Sequence, residues 1–157
     1  MENRILAVLA FVIFATPAFA VANDPKAIIQ DVYTHLRANN DYDPPTSLLT
    51  PRLAKLIADD TADAKGEEGR LGVDMWLNAQ DSQLGPVSVT SKFDDFRKDR
   101  QIVTAKVTDF GKVDTVVYYF EQVGGKWLID DLRWTGKNGW TLSLVLKWGD
   151  YGPTGEK

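Results

Sequence analysis

The sequence predicts an α+β domain, with N-terminal helices packed on a curved four-stranded antiparallel sheet, and three observations carry that prediction. In the first half of the chain, apolar residues recur three and four positions apart, as on one face of a helix. After Gly85-Pro86 the pattern changes to runs rich in Val, Thr, Tyr and Phe, broken at short intervals by turn residues. Those breaks are shorter than the roughly dozen residues a parallel crossover needs, so consecutive strands are antiparallel neighbours.

Met1 to Arg4 is a short polar head, and Ile5 to Ala15 is an unbroken apolar stretch of 11 residues. A helix needs ~20 apolar residues to span a bilayer. The stretch therefore has the length of a signal-peptide core and not of a stable membrane anchor. Pro17 breaks the segment, and Ala18-Phe19-Ala20 places small residues where a signal peptidase reads them. Residues 1–20 are thus expected to be a signal peptide cut after Ala20, with residues 21–157 one domain in the periplasm or secreted. An uncut N-terminal helix is the alternative.

Asp24-Pro25 is a helix start, because the Asp side chain accepts from free first-turn amides and Pro suits the first helical position. Ile28, Val32 and Leu36, with Ile29 and Tyr33 beside them, extend that helix from Pro25 to Ala38, and Asn39 to Pro45 stops it. Thr50-Pro51 repeats the device, with Leu53, Leu56 and Ile57 marking a second helix that ends before Gly66. The strands are expected near Val87 to Phe96, Gln101 to Phe110, Asp114 to Val123 and Lys126 to Trp134. Gly124-Gly125 is the clearest turn, since two glycines adopt the positive dihedrals of a two-residue hairpin, and Gly111 marks a second. Trp140 to Lys147 fits a last helix or a fifth strand and is read as a helix ending at Gly149.

With 157 residues, 44% of them hydrophobic, 25% charged and no cysteine, the composition is that of a globular core. It excludes low-complexity disorder, a disulfide-stapled scaffold and a zinc site built on Cys. A net charge of −4 with no basic tail makes nucleic acid an unfit partner. No cofactor motif is present, and neither a His-based triad nor a multi-His metal site can be assembled from one histidine, His35. Ser47, Ser82, Ser88, Ser91 and Ser143 lack a nucleophile-elbow sequence. The acidic run Asp59, Asp60, Asp63, Glu67 and Glu68 lacks the alternating ligands and central glycine of a calcium loop, and reads as a solvated face.

Val73 to Asp81 (VDMWLNAQD) resembles a segment of a bacterial family catalogued as domain of unknown function 3828, and Gly125 to Leu132 (GKWLIDDL) resembles its late strand. That strand is also common in the nuclear transport factor 2-like superfamily, and Leu49 to Leu53 adds to the likeness. The resemblance implies a cone of helices closed by a curved antiparallel sheet, with an apolar pocket carrying a few polar residues at its mouth. Members of the superfamily include isomerases, dehydratases, cyclases and many non-enzymatic binding domains, so the fold does not decide function.

On that frame Asp74, Gln80 and Asp81, with Trp76 as an apolar wall, are candidates for a ligand rim. The structural alternative is that they cap helix ends or tie down the loop entering the sheet. Asp130 and Asp131 are strand neighbours, and strict alternation puts Asp131 on the face of Trp127 and Ile129. A carboxylate there would be a buried acid, with Tyr118 or Tyr119 as hydrogen-bond donor. Pairing of Asp131 with Arg133, Arg52 or a helix amide is the alternative. The favoured expectation is a non-enzymatic envelope module that binds a small ligand or a partner protein, with homodimerisation through the sheet as an open arrangement. A small isomerase-, dehydratase- or hydrolase-like enzyme is the other.

Overall fold

The Asp24 carboxylate accepts the amide of Lys26 at 3.2 Å and opens α1 (Pro25–Ala38), with Pro25 in its first turn. The computed structural model describes residues 24–39, 41–136, 138–149 and 151, so the expected signal peptide and its cut after Ala20 lie outside the described residues. Ile29, Val32, Tyr33 and Leu36 form the buried stripe of α1, and Ile28 lies at its margin. A 3₁₀ turn, Thr46–Leu48, leads to α2 (Pro51–Ala64), where Thr50 Oγ1 accepts the amide of Leu53 at 3.2 Å. Lys65, left-handed at φ 53°, closes α2. Both helix starts thus follow the Asp-Pro and Thr-Pro chemistry of the sequence.

Five strands follow in the spatial order of the chain: β1 (Leu84–Phe93), β2 (Arg100–Asp109), β3 (Lys112–Val123), β4 (Lys126–Trp134) and β5 (Trp140–Thr141), all antiparallel. The class is therefore α+β, but the sheet has five strands where four were expected. The addition comes from the ambiguous segment, which divides: Trp140 pairs with Trp134 as strand, and α3 (Leu142–Trp148) turns away to end at left-handed Gly149. β1 also begins at Leu84, before Pro86 and the expected Val87, and ends at Phe93, short of the expected Phe96. As an edge strand it leaves the missing proline N–H facing no partner, and a register shift between Leu84 and Val87 absorbs the residue. The β3–β4 turn is as expected, with Gly124 and Gly125 at φ 58° and 79°.

Val103, Ala105 and Val107 of β2, and Val116, Tyr118 and Phe120 of β3, alternate onto the buried face. Helix α1 packs over β1 and β2, and α2 and α3 pack against β4 and against each other. The opposite face carries the half-buried Ile102, Thr104, Val117, Tyr119 and Arg133. No helix among the described residues is long and apolar enough to cross a membrane.

Candidate functional site

One irregularity builds the site. Tyr119 pairs with Asp131 while the next residue, Phe120, pairs with Ile129, so Asp130 is an extra residue in β4. This is a β-bulge, and it resets the alternation. Ile129 and Leu132, three positions apart, are both fully buried. Asp130 and Asp131 both turn to the other face, where they line a cavity of about 290 Å³ with Arg100, Tyr119, Arg133 and Thr141. The expected placement of Asp131 beside Trp127 and Ile129 is therefore corrected: strict alternation fails at the bulge.

The two carboxylates are differently committed. Asp130 accepts Thr50 Oγ1 at 2.9 Å and the Arg52 guanidinium through Nε and Nη2, each at 2.9 Å. Arg52 also donates to the Asp130 carbonyl. Burial alone would raise the Asp130 carboxyl, but the hydrogen bonds from Arg52 and Thr50, with the charges of Arg52 and Arg100, outweigh it and hold the group below its ordinary value. Thr50 thereby ties the start of α2 to the bulge with a single hydroxyl. Asp131 accepts the Ser143 amide at 3.1 Å, the Ser143 hydroxyl at 2.5 Å and the Leu132 amide at 2.9 Å. Thr141, the residue at the cap position of α3, makes no side-chain cap bond, so Asp131 serves as cap from a neighbouring strand.

Arg100 enters from β2 and donates to Glu121 at 2.5 Å, and Glu121 also receives Arg97 at 3.0 Å. Tyr119 stands between, on the strand linking Arg100 to Asp131 and Arg133. The wall therefore carries guanidinium, phenol and hydroxyl groups, with Arg100 itself bound to Glu121 and the two aspartates already engaged.

The remaining sequence candidates lie elsewhere. Trp76 is 3% exposed and stacks on Tyr118 with ring centroids 6.0 Å apart, so it is core and not a rim wall. Tyr118 is fully buried on the face opposite Asp131 and cannot serve it as donor. Asp74 accepts the amides of Trp76 at 2.6 Å and Leu77 at 3.1 Å, and Gln80 Nε2 donates to the Gly72 carbonyl at 3.1 Å. These bonds fasten their own loop. Partial desolvation raises the Asp74 carboxyl, against the lowering effect of those two amides, and Asp43 adds to the rise. Asp81 is exposed just before β1.

Only Asp131 and Tyr119 of the candidates are brought together at the cavity. Asp130 and Arg133, which the sequence offers only as the neighbour and a possible partner of Asp131, line it too, and Arg100 and Thr141 complete it with no sequence signal of their own. One signal was present: two adjacent acids inside a strand of otherwise alternating residues mark a place where the alternation gives way.

No family model matches the chain, and no curated protein matches it. Among solved structures it is similar to the phospholipid-binding protein from Ralstonia solanacearum in complex with a phospholipid, at 18% identity over 76% of this chain and 68% of that one, with a TM-score of 0.34. A likeness of that size assigns neither fold nor ligand.

Proposed function

We propose that the protein is an exported, non-enzymatic module that binds a small ligand bearing an anionic group in the Arg100–Tyr119–Arg133 cavity. The observation that carries the reading is the β4 bulge. It gathers two arginines, a tyrosine and a threonine around one cavity while Asp130 is neutralised by Arg52 and Asp131 is consumed in capping α3. A carboxylate or phosphate group meets planar, charge-assisted donors there. The enzymatic alternative needed Asp131 as a poised acid, and its oxygens are occupied by Ser143 and Leu132.

Export rests on the head, apolar core and Ala18-Phe19-Ala20 of the N-terminus. Membership of the domain of unknown function 3828 family and of the cone superfamily rests on the two quoted segments, and the helices packed on one face of an antiparallel sheet are compatible with it. Thermal shift with succinate, phosphate and a phosphate monoester tests the binding site. The expected result is a rise in Tm for the wild type that is lost in Arg133→Met; an equal rise in that variant would overturn the site.

A further inference from the structure

Four phenylalanines lie beyond the expected signal peptide, and three of them, Phe93, Phe96 and Phe110, are exposed. Phe96 is 96% exposed, and its turn is not a loose one. Asp94 Oδ1 accepts the amides of Phe96 at 2.9 Å and Arg97 at 3.0 Å, and the Asp94 amide donates to the Arg100 carbonyl at 3.0 Å. The β1–β2 turn is thereby fastened with a large apolar ring held in water. The β3–β4 hairpin ends beside it, because the Gln122 amide donates to the Asp99 carbonyl at 3.0 Å and Arg100 pairs with Glu121. Phe93 meets Trp127 edge to face at 6.2 Å across the two hairpins, and Val123 adds exposed apolar surface.

The charges around these rings are sorted. Asp99 and Glu121 are bound by Arg97, and Glu121 by Arg100 as well, while the Asp94 carboxylate faces its own turn amides. Lys98 and Lys126 have no acidic partner among the described residues, and Lys92 reaches Asp95 only at 4.0 Å. The two turns at this end of the sheet thus carry exposed aromatic rings together with Lys92, Lys98 and Lys126, with Asp95 as the exposed acid among them, on a molecule of net charge −4.

We infer that the tips of the β1–β2 and β3–β4 hairpins dock the protein on an anionic phospholipid surface, with Phe96 as the inserted ring and Phe93 and Trp127 at the headgroup level. A bilayer takes a protruding ring with no matching shape, and lysines reach its phosphates while their stems lie along the acyl boundary. Fixing the backbone of the Phe96 turn beforehand lowers the ordering cost of insertion.

Co-sedimentation of the full chain with vesicles of phosphatidylcholine containing phosphatidylglycerol, against phosphatidylcholine alone, tests the inference. Binding is expected only to the anionic vesicles, to weaken with salt, and to fall about tenfold or more in Phe96→Ser and several-fold in Lys98→Glu. Phe110→Ser, at the opposite end of β2, is expected to bind like the wild type. Unchanged Tm for Phe96→Ser shows that the fold is kept. No binding to anionic vesicles, equal loss in Phe110→Ser, or Phe96-dependent self-association in sedimentation without vesicle binding would overturn it.

Discussion

The phenol oxygens of Tyr33 and Tyr118, 85 residues apart in the chain, lie 2.8 Å from each other inside the core. Tyr33 also donates to the Trp76 carbonyl at 3.0 Å, which can only accept, so Tyr118 supplies the proton of the shared bond. Burial raises both phenols well above their ordinary value, so the chain of donors stays protonated. Tyr33→Phe leaves a buried carbonyl and a buried hydroxyl unsatisfied. It is expected to cost about 2–4 kcal/mol, against about 1 kcal/mol for Tyr118→Phe, which leaves the Tyr33–Trp76 bond intact. Urea denaturation of the two variants checks the order, and equal losses would contradict the assigned direction.

Asp130 is held below its ordinary value in the folded state. Its contribution is therefore fully present above the unfolded value, near 4, and is lost as pH falls through the lower folded value. The stability difference between wild type and Asp130→Asn is expected to be largest near neutral pH and to shrink below about pH 4. A difference that grows on acidification would reverse the sign.

Capping of α3 depends on Asp131. Asp131→Ala is expected to lose about 1–2 kcal/mol, with the loss visible as faster amide exchange in residues 142–148. If stability were unchanged and ligand capture lost, Asp131 would be a ligand contact instead of a cap.

Phe110 sits at φ 45°, in the left-handed region, with its ring 57% exposed. A side chain that gains little from burial is held where L residues are strained. Phe110→Asn, which tolerates that conformation in a β2–β3 turn ending in Gly111, is expected to raise stability by about 0.5–1 kcal/mol in chemical denaturation.

The loop from Asp74 to Asp81 separates its residues by their bonds. Asp74→Ala is expected to cost about 1 kcal/mol, whereas Asp74→Asn keeps an acceptor for Trp76 and Leu77 and removes a carboxylate whose value is raised. Because a raised carboxyl favours the folded state at lower pH, the Asn variant loses that pH dependence. Gln80→Ala is expected to lose about 0.5–1 kcal/mol, and the exposed Asp81→Ala less than about 0.5. Differential scanning calorimetry at pH 7 ranks the four.

What the sequence determined by itself is local. Asp24-Pro25 and Thr50-Pro51 start helices because the side-chain oxygen accepts a free first-turn amide and the proline that follows has no N–H to leave unpaired, and Gly124-Gly125 turns a hairpin because both residues accept positive φ. Such chemistry needs no knowledge of the rest of the chain, and β4 was bounded by it at Lys126 and Trp134. The tertiary structure alone decided the face of Asp131, the burial of Trp76 and Tyr118, and the division of residues 140–148 into strand and helix. The burial of Trp76 and Tyr118 depends on Tyr33, 43 and 85 positions away, whereas the face of Asp131 and the start of α3 depend on strand pairing with Tyr119 and Trp134 that no local pattern specifies. A one-residue bulge reverses the face of every side chain after it, and only the pairing of β3 with β4 places that residue, so the site was assembled by register and not by spacing.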